Sequence, residues 1–177
     1  MTNFAKLPTW ADKQRVYAVV ETPRGSRAKL EFDPKLGAFT LAKPLLAGLT
    51  YPYDWGFIPS TLGEDGDPLD GLVIHQAASA PGVVIKCDLL GALRVKQKER
   101  GGAALRNDRY ILCPRKEDAE DEPVADRVPE HLRRVIEQFF RSSVSETGKE
   151  IRFKGWQDAA EARKSIKKGM KAFAART

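Results

Sequence analysis

Three aspartates, Asp65, Asp67 and Asp70, fall within six residues, with Glu64 beside them and Gly66 and Pro68 between them. Carboxylates this close repel one another unless a proton or cation compensates, and their oxygens are the donors that Mg²⁺ and Ca²⁺ prefer. Gly66 permits backbone geometry that a side chain forbids, and Pro68 stiffens the segment. On the cluster alone, a metal site and a solvated acidic turn are equally good readings, because Gly and Pro are also the usual turn formers. An EF-hand is disfavoured. It needs ligands at alternate positions and a terminal Glu on a helix, whereas Pro68 and the apolar Leu69, Leu72, Val73 and Ile74 read as a turn entering a strand.

The elements that must position these acids follow from periodicity. Residues 15–20 are β-branched and aromatic, and read as a strand ending at Glu21. Residues 28–33 alternate: Leu30 and Phe32 face the core, which sends Lys29 and Glu31 together to the other face. Residues 33–37 form a hairpin turn, and 38–41 a return strand bringing Lys43 near the same mouth. Residues 83–95 make a long apolar strand, or a bent pair interrupted by Gly91, followed by a polar loop at 96–102 and a short strand at 110–113. The acidic stretch 117–126 reads as an exposed loop. Pro129 fits a first helical position, and Leu132, Val135, Ile136, Phe139 and Phe140 form a core-facing stripe. Residues 151–153 are a last strand. Asp158 and Glu161 open a helix that buries Ala162, Ile166, Met170 and Phe173. Many short strands followed by two late helices predict an α+β, mainly β fold: a small, OB-like closed β-barrel flanked by two C-terminal helices.

Composition bounds the rest. At 177 residues, 42% hydrophobic and 31% charged, the chain reads as one ordinary domain over residues 1–177. It has no apolar run of membrane-spanning length and no apolar leader in its first residues, so a cytoplasmic location is the default expectation. Cys87 and Cys113 lack metal-type spacing and read as small buried hydrophobes, and His75 and His131 as structural. The net charge of +6 suits an anionic ligand, although most of it sits in a basic C-terminal helix.

The combination YPYDWGFIP and then EDGDPLDGLV resembles the soluble family I inorganic pyrophosphatases. Their signature is a D-x-D-P-x-D run entering a strand, complete here in Asp65, Asp67, Pro68 and Asp70. The resemblance extends from about Val16 to Gly155 and Trp156 and is weakest over residues 96–109. It implies an OB-like barrel whose open end holds an acidic cavity, and Mg²⁺-dependent hydrolysis of pyrophosphate to two phosphates without a covalent intermediate. By matching positions, Asp65 and Asp70 bind Mg²⁺, with Asp70 bridging two ions, and Asp67 accepts a proton from the attacking water. Glu21 and Glu31 add metal contacts, Lys29 and Lys43 bind phosphate oxygens, and Tyr51 supports the cavity wall. The resemblance also implies a homo-oligomer, often a hexamer, acting on a small-molecule substrate with no nucleic acid or membrane partner.

The chain departs from that pattern at several points. Lys43 stands for a family Arg and loses its bidentate fork. Trp55 replaces a Tyr that binds phosphate and offers only an indole N–H. A second acidic group, spaced D-x₄-D-x-K in the family, reads differently here: Arg109 takes the Lys position and Asn107 that of the second Asp. Asp108, one residue along, is a metal ligand if a bulge turns it inward, and Glu99 is a candidate to approach. The late Tyr-Lys pair falls at Ser143 and Val144. Three readings follow: a pyrophosphatase with fewer metals, a hydrolase of another phosphoanhydride, or a catalytically weak paralogue that binds metal or phosphate. A nucleic-acid-binding barrel is disfavoured, because carboxylates beside the aromatics would repel a backbone.

Overall fold

The computed structural model describes residues 3–99, 101–115, 127–145 and 147–176. The acidic stretch 117–126, expected as an exposed loop, lies outside them. Nine strands and two helices follow in the order β1 Val16–Thr22, β2 Ala28–Asp33, β3 Ala38–Pro44, β4 Asp54–Ile58, β5 Leu69–Val73, β6 Val84–Lys98, β7 Ala104–Arg106, β8 Arg109–Pro114, α1 Glu130–Val144, β9 Glu150–Gln157 and α2 Ala159–Arg176.

Five strands close into a ring. β1 pairs antiparallel with β4, β4 with β5, β5 parallel with β8, β8 antiparallel with β6, and β6 antiparallel with β1. This is the expected OB-like arrangement, with α1 and α2 at the C-terminal end of the chain. β6 is one strand of 15 residues that serves two neighbourhoods, its second half carrying β7 and β9. The bend expected at Gly91 is present as a register shift between Leu89 and Gly91. Residues 96–98, expected in a loop, are instead strand, paired with β7. The polar end of β6, though paired with β7 on one side and β9 on the other, carries too little apolar alternation to be read locally.

The ring strands are apolar on both faces because both are covered. Val73, Leu112 and Tyr110 join a core with Ala162 and Ile166 of α2, while their neighbours Leu72 and Ile111 join a second core with Ile136, Phe139 and Phe140 of α1. Within the α1 stripe Val135 is 45% exposed, so the buried face is narrower than its periodicity suggests. The α2 start is capped as expected, with the Glu161 amide donating to Asp158 Oδ1 at 2.8 Å. β4 lies so close to β1 that a Cβ at Gly56 would collide with the Val19 carbonyl. Only glycine fits there.

β2 and β3 form a separate two-stranded ribbon. Phe32 and Phe39 pack with Phe4, their ring centroids 5.3–5.5 Å apart, which fixes the apolar side of the ribbon. Lys29 therefore stands on the other side, opposite Lys43 in the register, and pairs with Glu31. The turn before β2 is tied down by Asp54, which is fully buried. Its carboxylate accepts the Arg24 backbone N–H at 2.7 Å, meets His75 Nε2 at 2.7 Å and accepts from Ser79.

Candidate active site

The acidic turn is knit by its own backbone. Gly63 N–H donates to the Asp67 carbonyl at 2.7 Å and Asp67 N–H to Asp65 Oδ1 at 3.2 Å. Gly66 sits at φ +92°, a conformation that a side chain disfavours, as its place in the sequence predicts. Arg106 N–H holds Glu64 at 3.0 Å, and Arg176 at the end of α2 donates to the Gly66 carbonyl at 3.1 Å. The chain then enters β5, where Asp70 stands between Phe57 of β4 and Arg109 of β8 in the register.

One cavity of about 370 Å³ gathers residues from nine elements and the turns between them. Asp65, Asp67 and Asp70 line it together with Lys29, Glu31, Lys43, Tyr51, Trp55 and Arg109. Glu21 lines an adjoining cavity that shares Lys29, Glu31, Asp67 and Asp70. Nine of the expected site residues thus meet in one space, and the tenth, Glu21, stands at its edge.

Asp108 does not join them. It is buried, accepting the Val95 backbone N–H at 2.9 Å and pairing with Arg106 at 2.5 Å, and it lines a different cavity beneath α2. β8 runs without the inward-turning bulge that the expectation required, so alternation carries its carboxylate away from Asp70.

Side chains not assigned a role from the sequence also line the cavity, Gln97, Lys149 and Asn107 among them. Gln97 lies two and four residues beyond the buried Val95 and Leu93, so its period-2 position on β6 was a usable signal. Lys149 enters from the turn before β9 and pairs with Glu99 at 2.5 Å; its sequence position alone gave no such signal. Asn107 lines the cavity floor, and Glu99 does approach, held by Lys149 and Gln97. At the places of the family's Tyr-Lys pair, Ser143 and Val144 form part of the wall.

The cavity is short of positive charge. Burial pushes the Glu21 carboxyl up to about 8, and Asp70 adds to this, while the Phe32 N–H at 2.8 Å opposes it. Burial raises Asp67 as well, reinforced by Asp65 and Glu31. Burial also raises Asp70, against the pull of Arg109 and Lys29. Lys29 loses some basicity to burial but gains more from Asp70 and Glu31, so it is held cationic. Lys43 is lowered by burial and by Lys149 and Lys29 nearby.

Carboxylates held above their ordinary range, all offering hard oxygen donors, fit a divalent cation such as Mg²⁺. As they stand, the acids are satisfied by other partners: Asp70 by Arg109, Glu31 by Lys29, and Glu21 by the Phe32 amide. Accordingly, among the described residues no three His, Cys, Asp or Glu side chains converge into a finished metal cage. Two buried donors, Trp55 Nε1 and Arg109 Nε, have no hydrogen-bond partner and belong to residues lining the cavity. Unpaired donors there suit an acceptor-rich, anionic ligand.

A closed β-ring whose cavity sets a cluster of carboxylates beside lysines and an arginine is the class of arrangement suited to a metal-bound polyanion. Comparison with known proteins makes this particular. The family model described as inorganic pyrophosphatase matches residues 18–174. The inorganic pyrophosphatase of Thermus thermophilus is 38% identical over 94% of this chain and 95% of its own length, and that of Leifsonia xyli is 40% identical over 85% and 91%. Crystal structures of the Thermus thermophilus and Neisseria gonorrhoeae inorganic pyrophosphatases superpose with TM-scores of 0.85 and 0.83. They are 35% and 28% identical to this chain, cover 98% and 97% of it, and are each covered over 99% of their length. The chain belongs to the inorganic pyrophosphatase family, a family of enzymes.

Proposed function

We propose that this protein hydrolyses inorganic pyrophosphate to two phosphates in a Mg²⁺-dependent reaction. The observation that carries the reading is the single cavity in which Asp65, Asp67 and Asp70 face Lys29, Lys43 and Arg109. Mg²⁺, when bound, polarises phosphoryl oxygens and lowers the pKa of coordinated water. Asp65 and Asp70 would hold it, and Glu31 and Glu21, lining the same and the adjoining cavity, would orient its surroundings. Lys29 and Lys43, opposite each other on the ribbon, neutralise the phosphate oxygens and keep the substrate in line. Arg109, Trp55 and the buried Tyr51 form part of the wall, where Arg109 is paired with Asp70.

Asp67 takes a proton from the attacking water as its oxygen bonds to phosphorus and the bridging P–O bond breaks. A carboxylate raised above its ordinary value is a stronger base than a free aspartate, which suits this role. The expected cytoplasmic location is part of this reading; among the described residues no helix is long and apolar enough to cross a membrane. Exposed Leu36, Leu41 and Val84 offer apolar surface for the expected homo-oligomer.

A second reading has one observation behind it. Ser143 and Val144 leave the wall around the departing phosphate without a Tyr-Lys pair, which favours a weak paralogue that binds metal and phosphate. Phosphate release from magnesium pyrophosphate by wild type beside Asp67→Asn, with ATP in parallel, separates the two. Release from pyrophosphate that falls by about 10²–10⁴ in the variant, with metal binding kept, supports the hydrolase. Equal rates in both proteins would remove Asp67 from its role, and no release from either substrate would favour the paralogue.

A further inference from the structure

Arg109 is an unusual cavity cation in that both of its terminal nitrogens are spent inside the protein. It is 5% exposed, and its Nη1 donates to Asp70 and to Asn107 Oδ1 while Nη2 donates to Gln97 Oε1 at 3.0 Å. The Trp55 and Phe140 rings flank the guanidinium, 5.2 and 5.3 Å from its central carbon. Aromatic faces and a planar fork of donors hold a guanidinium where a flexible ammonium would be less well fixed. Of its three acceptors only Asp70 carries charge. Asn107 and Gln97 supply oxygen lone pairs without supplying negative charge.

That arrangement has a consequence for charge. Carboxylates at positions 97 and 107 would together call for a further cation beside Asp70. Amides do not. They orient the guanidinium and leave its full charge to Asp70, with which it is paired across the parallel β5–β8 register.

We propose that Arg109 is a built-in counter-cation for Asp70 and takes the place of a second divalent ion there, so that the cavity binds a single divalent cation per chain before substrate enters. Asp70 then serves one ion rather than bridging two. This rests on the reading above, in which the Asp65–Asp70 turn holds a divalent cation. Arg109 acts as a positioning and charge-setting residue, through Asp70, and its charge rather than its shape fixes the ion count.

The test is the number and affinity of Mn²⁺ ions bound without substrate, read from the electron paramagnetic resonance signal of free Mn²⁺ during titration at neutral pH. Wild type should take up one ion per chain. Arg109→Lys, which keeps the charge, should keep that count. Arg109→Gln should bind a second ion, or the first about tenfold more tightly, because Asp70 is released. Asn107→Asp, which preserves side-chain size and serves should the Arg109→Gln protein not fold, should gain binding in the same direction. Two ions on wild type, wild-type binding in both Arg109→Gln and Asn107→Asp, or Arg109→Lys behaving like Arg109→Gln would each overturn the proposal. All three would leave Asp67-dependent pyrophosphate hydrolysis, measured separately, standing. No binding to any of the proteins would overturn the proposal and the metal-dependent reading together.

Discussion

The Asp108 carboxylate accepts the backbone N–H of Val95 on the adjacent strand β6 at 2.9 Å, and the neighbouring Asn107 N–H returns a bond to the Val95 carbonyl at 2.9 Å. This exchange pins the start of β8 against β6 and decides which of two adjacent side chains reaches the cavity. Asn107 does, and Asp108 does not. Asp108→Ala leaves a buried N–H and the Arg106 guanidinium without their acceptor. The expected loss is about 1–3 kcal/mol of stability in urea denaturation. Mn²⁺ affinity should change little in the folded variant. A large loss of metal binding with unchanged stability would show that the side chain turns inward after all.

Glu21 gives a pH prediction with a definite sign. Its folded value, about 8, lies above the ordinary 4.5, so the folded protein holds a proton that the unfolded chain releases between those values. That contribution to stability is complete below about pH 4.5, diminishes as pH rises and is gone above about 8. In metal-free protein the slope from this group approaches ~1.4 kcal/mol per pH unit within the window. Glu21→Gln should flatten the urea-denaturation stability profile between pH 5 and 8. An unchanged profile would mean that Glu21 is ionised in the folded state.

Lys149 tests the part of the cavity that the sequence did not disclose. Glu99 already satisfies it on one side, so its loss should weaken binding of a polyanion more than it slows chemistry. Lys149→Ala should raise KM for pyrophosphate by about five- to tenfold with a smaller change in kcat. An unchanged KM would place the lysine on the rim as a surface ion pair only.

Asp54 sits away from the reacting atoms yet holds the ribbon that carries Lys29 and Glu31. It is fully buried and satisfies the Arg24 amide, His75 and Ser79 at once. Asp54→Ala should cost about 3 kcal/mol or more, because a buried network loses the acceptor that Arg24, His75 and Ser79 share. The same variant, if folded, should show weakened substrate binding through displacement of the ribbon. A thermal melt within a degree or two of wild type would refute this anchoring role.

Much of the site was legible locally. The D-x-D-P-x-D turn, with Gly66 between its acids and an apolar strand after it, specified a compact acidic loop attached to something rigid. Alternation in residues 28–33 put Lys29 and Glu31 on one side because the pleat has a period of two. The stripe Ile136, Phe139 and Phe140 announced a core helix for the same kind of reason, at period 3.6. These patterns are fixed by neighbours a few residues away, so a sequence carries them openly.

What the sequence left open depends on register between distant strands. Whether Asn107 or Asp108 faces Asp70 turns on a one-residue choice at the start of β8, set by bonds to Val95 on another strand. That Gln97 and Lys149 share a wall follows from β6 continuing past its apolar run to pair with β9. That Arg109 meets Asp70 follows from a parallel pairing between segments 39 residues apart. Parallel pairing and register are settled by burying both faces of the closed ring at once, a global condition that no local window of side chains expresses. The sequence by itself determined which residues could bind a metal and a polyanion; the tertiary structure decided which of them meet, and placed an arginine on the central aspartate.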